Sequence, residues 1–326
     1  MPKLTISDGR LVIRGPSGTR YVFERGQSTE VLAEDVEYIM ATGKLFSYWQ
    51  EQMAAPQRQM PLHIIRHPGL GDKVFALAAA WAFKQEHPDI TIYFETHDYC
   101  KNWIERVPFV RFGRPAELAQ TVDFDNIPAN AGDRCKLFGR MLGVEVNDIR
   151  FPVETFPYWR PLPEQYAVFA PWCGPWKLRS LPQDTIKAAL RHFTDVPLAI
   201  VSKDPCPFPS SHIDLTGPRQ GPLECLWDIL GSAAAVISVD TGITWMAAAL
   251  GKPTLAFFGH VPPQDRAAAC HTVYIVEPHM DCPMFPCGDH GAPPAPCGAT
   301  EEPKCMKAYT PEVVLWKIRE FLAMVL

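Results

Sequence analysis

AAAVISVDTGITWMAAALGKPTLAFFG, residues 233–259, decides how the chain is read. Ala235–Val239 is a short unbroken apolar run, the pattern of a parallel strand buried on both faces. Asp240-Thr241-Gly242 follows without a spacer. Asp or Thr caps a helix start, and Gly242 lets backbone come close to a ligand. Trp245–Leu250 is Ala-rich and helical, Gly251 suits the position after a helix end, and Pro253 cannot continue the helix. Thr254–Phe258 is the next buried strand. This order puts a helix N-terminus, with free N–H groups and partial positive charge, at the carboxyl end of a strand, where diphosphates bind. An ordinary αβ crossover has the same spacing, so the unit speaks for a fold before it speaks for a ligand.

Working outward, the same rhythm recurs. His63–Arg66 reads as a strand, His67-Pro-Gly-Leu-Gly-Asp72 as a glycine-rich turn, and Val74–Lys84 as a helix with an apolar face. Ile90–Phe94 is a second strand, Val107–Phe112 a third, and residues 131–142 a helix ending at Gly143. After the Pro-rich stretch 158–164, Tyr166–Ala170 and Leu198–Ser202 read as strands, with Leu181–Phe193 and Leu223–Ser232 as helices. Pro311–Leu326 closes the chain as an amphipathic helix with Val313, Val314, Ile318, Phe321 and Leu322 on one side. Residues 1–58 differ. Leu4-Thr-Ile and Leu11-Val-Ile-Arg alternate about Asp8-Gly9, a hairpin signal, Tyr21–Glu24 adds a third strand, and Ser28 begins a capped helix. The expectation is an α/β chain in three parts: a small β-plus-helix appendage (1–58), a first Rossmann-like parallel-sheet domain (59–160) and a second (161–326).

Composition narrows the function. With 326 residues, 47% hydrophobic and 21% charged, the chain has core enough for two domains. A net charge of −5 does not suit a general nucleic-acid binder. The N-terminus has no apolar signal region, and no run approaches the roughly 18 apolar residues of a membrane span. The expected location is the cytoplasm, where six scattered cysteines (100, 135, 173, 206, 225 and 270) read as reduced thiols.

Two parallel-sheet domains thus each carry a glycine turn, Gly69–Asp72 and Asp240–Gly242. Four segments in order resemble glycosyltransferase family nine, the ADP-heptose:lipopolysaccharide heptosyltransferases. They are Arg66–Asp72 with its Ala-rich helix; 170–177 followed by Ser180-Leu-Pro; Asp214–Gly217 before a Leu-rich helix; and Asp240–Gly242 through Gly259. The resemblance covers about residues 61–325 and implies a GT-B fold. It also implies a donor that is a nucleotide-diphospho-sugar, an ADP-sugar before others, and an acceptor hydroxyl on a glycolipid or protein. It implies inverting transfer without a catalytic metal. Asp72 would be the base that takes the acceptor proton. Lys177 would pair with a phosphate or sugar oxygen, Thr241 and Gly242 would offer N–H groups to the diphosphate, and Asp240 would hold a sugar hydroxyl. Arg66 and His67 would bind the acceptor. Set against these roles, Asp72 also fits a helix cap, Lys177 a solvated loop lysine and Arg66 a structural ion-pair partner. One departure stands out: the family has His three residues after the glycine of its Asp-Thr-Gly turn, and this chain has Trp245, which cannot carry a proton but can stack on a base or sugar. A non-catalytic nucleotide-sugar-binding module is the alternative that Trp245 supports, and an interaction protein built on a metal knuckle is another.

The remaining cysteines, Cys282, Cys287, Cys297 and Cys305, fall within 24 residues rich in Gly and Pro. One tetrahedral zinc or iron site of structural kind is the first reading; paired disulfides or free thiols are the others. The resemblance adds weight to it, since protein-modifying autotransporter heptosyltransferases carry a four-cysteine iron site near this end. Nothing in the sequence names the oligomeric state.

Overall fold

The computed structural model describes residues 3–5, 10–14, 17, 19–24, 28–30 and 60–326, the last range without 117, 126, 128–132, 175–176, 264–265, 267–268, 283–284, 286, 288–296 and 298–302. Four short strands lie at the start: β1 (Lys3–Thr5), β2 (Arg10–Arg14), β3 (Arg20–Glu24) and β4 (Ser28–Glu30). Their pairing corrects the expected hairpin. β2 pairs antiparallel with β3, and β1 with β4 rather than with β2. Ser28 starts a strand, not a capped helix; the rest of that expected helix lies outside the described residues.

The first parallel sheet holds β5 (Leu62–Ile65), β6 (Ile92–Glu95), β7 (Val110–Phe112) and β8 (Gln120–Asp123) in the order β7-β6-β5-β8. Around it lie α1 (Leu70–Glu86), α2 (Lys101–Glu105) and α3 (Arg134–Leu142). α1 starts four residues before the expected Val74, because Gly69 takes a φ of 69° and turns the chain straight into the helix. Asp133 caps α3 by accepting from the Lys136 N–H, and Gly143 ends it with a φ of 72°.

The second sheet is also parallel. It holds β9 (Ala167–Ala170), β10 (Leu198–Ser202), β11 (Ile213–Thr216), β12 (Ala235–Val239), β13 (Thr254–Phe257) and β14 (Val273–Val276). Their order, β11-β10-β9-β12-β13-β14, is that of a doubly wound dinucleotide-type sheet. The helices are α4 (Gln183–His192), α5 (Cys225–Ser232), α6 (Gly242–Ala249), α7 (Lys304–Lys307) and α8 (Pro311–Val325). α8 buries Val314, Ile318, Phe321 and Leu322 in the core shared with the second sheet; Val313, expected on that side, is exposed.

One apolar core runs from the first sheet into the second. Trp103 of α2 and Trp227 of α5 stack across the seam at 5.1 Å, both fully buried, and Trp227 donates to the Trp103 carbonyl. Arg106 pairs with Asp228 beside them. A second contact joins the N-terminal turns of α1 and α6, and it is made of interlocked glycines. A Cβ on Gly242 would lie 2.8 Å from Leu70 Cβ, and one on Gly71 would lie 2.6 Å from Trp245 Cδ1. Both positions need glycine because the opposite helix fills the space.

Candidate active site

Ligands of doubly wound sheets bind beyond the strand carboxyl ends where the strand order reverses. In the second sheet that point lies between β9 and β12; in the first it lies between β5 and β8. The segments leaving all four strands line one cavity of about 1000 Å³. Arg66–Asp72 follows β5, Asp125 and Ile127 follow β8, Trp172–Gly174 follow β9, and Asp240–Gly242 follow β12. The two glycine turns therefore share one cleft. Among the described residues, five cationic side chains (Arg66, Arg134, Arg179, Lys203, Arg266) line it against three carboxylates (Asp72, Asp125, Asp240), an excess of positive charge.

Asp72 sits in the first turn of α1 with its side chain 14% exposed. Arg66 donates to its Oδ2 at 2.6 Å, and Arg266, from the other domain, to its Oδ1 at 3.2 Å. Arg66 is buried, and its other terminal nitrogen donates to the Phe124 carbonyl. It is thus the ion-pair partner of Asp72, with one edge of its guanidinium on the cavity wall. His67 is half-buried beside it. Asp125 accepts from both its backbone N–H (2.7 Å) and its Nδ1 (2.6 Å), which fixes the ring. Lys73, missed in the sequence reading, is 1% exposed and donates to the His67 carbonyl, bracing the glycine turn. Burial lowers its pKa, and Arg66 adds to that effect while Cys100, Asp125 and Asp72 oppose it.

On the wall formed by the second sheet, Thr241 is the N-cap of α6 in an extended conformation, and its side chain makes no capping bond. The first N–H groups of α6 are left for a ligand or solvent. Thr244 turns inward, donating to the Val239 carbonyl and bonding Ser238. Asp240 was expected to reach a sugar hydroxyl; instead it is 2% exposed and holds Arg179 at 2.7 Å. Burial works against the Arg179 charge, but Asp240, with Cys173 and Asp72 helping, holds its pKa above the ordinary value. Trp245 was expected to stack on a base or sugar. It is 2% exposed and packed between Phe75 (5.0 Å) and Phe258 (6.1 Å), so most of its surface is spent on the domain seam and only an edge reaches the cavity wall. Lys177 begins the short turn Lys177–Arg179; its side chain lies outside the described residues.

The four C-terminal cysteines are not linked by disulfides. Burial raises the Cys287 thiol, with Cys297 and Cys282 adding to the shift; burial likewise pushes Cys305 up to about 11, with Cys297 and Cys287 contributing. They share a neighbourhood, but among the described residues no three His, Cys, Asp or Glu side chains are grouped to hold a metal ion. The expected tetrahedral arrangement is not formed.

Besides Lys73 and Arg179, sequence reasoning missed Arg266 and Asp125. Neither lies in a motif, and only the fold brings them within reach of Asp72 and His67.

A model of glycosyltransferase family 9 (heptosyltransferase) matches residues 213–284, which run from β11 past β14 and include the 240–242 turn. No curated protein matches the sequence. Among solved structures, the ADP-heptose lps heptosyltransferase II of E. coli aligns with 81% of this chain and 99% of its own, at 12% identity and a TM-score of 0.62. The iron-containing dodecameric glycosyltransferase TibC of enterotoxigenic E. coli H10407 aligns with 82% of this chain and 77% of its own, at 18% identity and a TM-score of 0.61. A glycosyl transferase family 9 protein of Veillonella parvula DSM 2008 gives 81% and 98%, 11% identity and a TM-score of 0.61. Likeness at such identities is a likeness of fold. The family model on residues 213–284 and the likeness of the whole fold to solved heptosyltransferases bear out the resemblance of this chain to glycosyltransferase family nine, on a GT-B architecture.

Proposed function

We propose that the chain is an inverting glycosyltransferase that moves a heptose-like sugar from a nucleotide-diphospho-sugar, an ADP-sugar by preference, to an acceptor hydroxyl on a glycolipid or a protein. The observation that carries this reading is the single cleft at two switch points, with the uncapped α6 N-terminus on one wall and the carboxylate of Asp72 on the other. The excess of cationic side chains suits a diphosphate. TibC has been solved in complex with ADP-D-beta-D-heptose, which favours adenine as the base.

In this reading the diphosphate rests on the N–H groups at Thr241–Gly242, with Lys177 reaching it from the segment after β9. Asp240 acts through Arg179, holding that guanidinium at the switch point. As the acceptor oxygen attacks the anomeric carbon, the bond to the diphosphate breaks and Asp72 takes the acceptor proton. The helix N-terminus and the cations stabilise the leaving diphosphate. His67 and Asp125 form the acceptor wall.

The cysteine segment 282–305 supplies four thiols of the kind that binds zinc or iron, and we assign it a structural metal that would draw them together, without a part in the reaction. Among the described residues no helix is long and apolar enough to cross a membrane. We place the protein in the cytoplasm. Assembly into oligomers, as for TibC, is compatible with the fold.

One observation favours a second reading, a binding protein that kept the nucleotide fold: both oxygens of Asp72 are held by arginines. Incubation of purified protein with ADP-, GDP- and UDP-sugars separates the two. The enzyme releases nucleoside diphosphate from one of them, slowly to water and faster with acceptor. A protein that is stabilised by a nucleotide sugar but releases nothing, with or without acceptors, is the binding module.

A further inference from the structure

We infer that Tyr99 is a specificity-determining residue of the acceptor site: its ring is a stacking platform for a second sugar ring of the acceptor, beyond the one that carries the attacking hydroxyl. The inference rests on the glycosyltransferase reading and deepens it, since it makes the acceptor a saccharide.

Tyr99 lies in the short turn Asp98–Cys100 after β6, the strand beside β5, so it stands one strand over from the glycine turn that carries Asp72. Both residues line the cavity. Single exposed apolar side chains are ordinary on a protein surface. Tyr99 differs from the rest. It is 70% exposed, and among the described residues it is the only exposed large apolar side chain on the cavity wall. It is also held in place. Its ring stacks on His97 at 5.3 Å and 19°. His97 packs edge-on with His67 at 5.1 Å, and Asp125 fixes His67. Behind the ring, the Cys100 N–H donates to the His97 carbonyl, and Cys100 and Trp103 are buried. A row of rings thus runs from Asp125 to the cleft, and the last ring keeps a face open. Tyrosine offers a large contact area with few rotors to freeze. Such a face suits the apolar C–H face of a pyranose. The hydroxyls on the sugar's rim can bond His97 and Asp98, both exposed beside Tyr99 in the turn. The donor diphosphate is served by the opposite wall, where α6 begins, so the platform falls to the acceptor.

The test reads contact rather than turnover. Saturation-transfer NMR is recorded on the purified protein with ADP present, against the methyl glycosides of glucose, galactose, mannose and a heptose, and against the peptide N-acetyl-Ser-Gly-Ser amide. At least one glycoside should receive saturation on its ring C–H protons. Tyr99→Ala should weaken its binding by roughly fivefold or more, while Tyr99→Phe, which keeps the face, should stay within about twofold of wild type. ADP affinity, measured calorimetrically, should change by less than about twofold in both variants, because ADP rests on the other wall. A glycoside held equally by wild type and Tyr99→Ala, a wild type that binds no glycoside, or a Tyr99-dependent signal from the peptide alone overturns the inference. A loss in Tyr99→Phe as large as in Tyr99→Ala would put the effect on the hydroxyl and overturns it too. All of these leave the donor site standing if ADP still binds. ADP that binds none of the three proteins overturns the donor reading itself, and the inference with it.

Discussion

Replacing Gly71 by alanine tests whether the two domains are locked as described. The new Cβ would meet Trp245 Cδ1 at 2.6 Å and Nε1 at 3.2 Å, against an ordinary contact of 3.4 Å or more. The indole has little room to retreat, being 2% exposed with Phe75 and Phe258 around it. Overpacking of this kind costs about 1–3 kcal/mol, and the better helix propensity of alanine returns about 0.5–1 kcal/mol of it. The expected net loss is therefore between about 0 and 2.5 kcal/mol. Trp245→His, which restores the residue of the resembled family, should by itself cost about 2–4 kcal/mol, because it leaves a gap facing Gly71. In that background the added methyl has space, and Gly71→Ala should be neutral or slightly stabilising. Urea denaturation of the four proteins measures the coupling, expected at about 1–3 kcal/mol. A Gly71→Ala cost that is the same in both backgrounds would refute the interlock.

Three further outcomes follow from the same structure. Lys177→Ala should weaken nucleotide-sugar binding by about 1.5–3 kcal/mol, the scale of a hydrogen bond to a charged group; unchanged affinity in a calorimetric titration would return Lys177 to a solvated loop. Purified protein should carry about one zinc or iron per chain by elemental analysis, and lose it when Cys287 and Cys305 are both changed to Ser; metal-free wild type would overturn the structural-metal assignment. The Glu95 carboxyl is held below the ordinary glutamate range, first by its hydrogen bond to Arg114 and then, against the opposing effect of burial, by the Arg114 charge and His63. A depressed carboxylate stabilises the fold above its unfolded pKa, and that contribution is lost as the pH falls through the folded value. Arg114→Met should therefore lower the melting temperature at neutral pH and bring it closer to wild type under strongly acidic conditions. A constant difference across that range would count against the pairing.

How far the sequence could be read depended on where each element sits in its sheet. Central strands are apolar on both faces, so Ala235–Val239 and Leu198–Ser202 were legible to the residue. Three strands of the two parallel sheets went unread, Gln120–Asp123, Ile213–Thr216 and Val273–Val276, and all three are edges. The first two mix polar side chains into a four-residue run, and in the third Tyr274 and Ile275 are exposed. The glycine turns were legible as turns, but half of their reason was not. Gly71 and Gly242 are needed as much for the opposite helix as for a ligand, and no local pattern carries a contact between residues some 170 positions apart. For the same reason Trp245 read as a stacking platform and proved to be a wedge. Asp240 and Arg66 read as ligand contacts because their types suit sugars and acceptors; burial and the Arg179 and Asp72 partners assign them to the frame of the site.

The proton transfer at Asp72 is the centre of the account, and single-turnover transfer by Asp72→Asn tests it most directly. The substitution keeps the shape and can still accept a bond from Arg66, so the protein should fold and bind the nucleotide sugar at least as well as wild type. A base matters only as the acceptor oxygen attacks, so transfer should fall by about 100-fold or more while binding does not weaken. Gly69, not Asp72, is the N-cap of α1, so a purely structural Asp72 would lose helix-dipole and arginine contacts on becoming asparagine, a cost in stability rather than in transfer. Near-wild-type transfer by Asp72→Asn would therefore contradict the account and leave Asp72 a structural residue of α1.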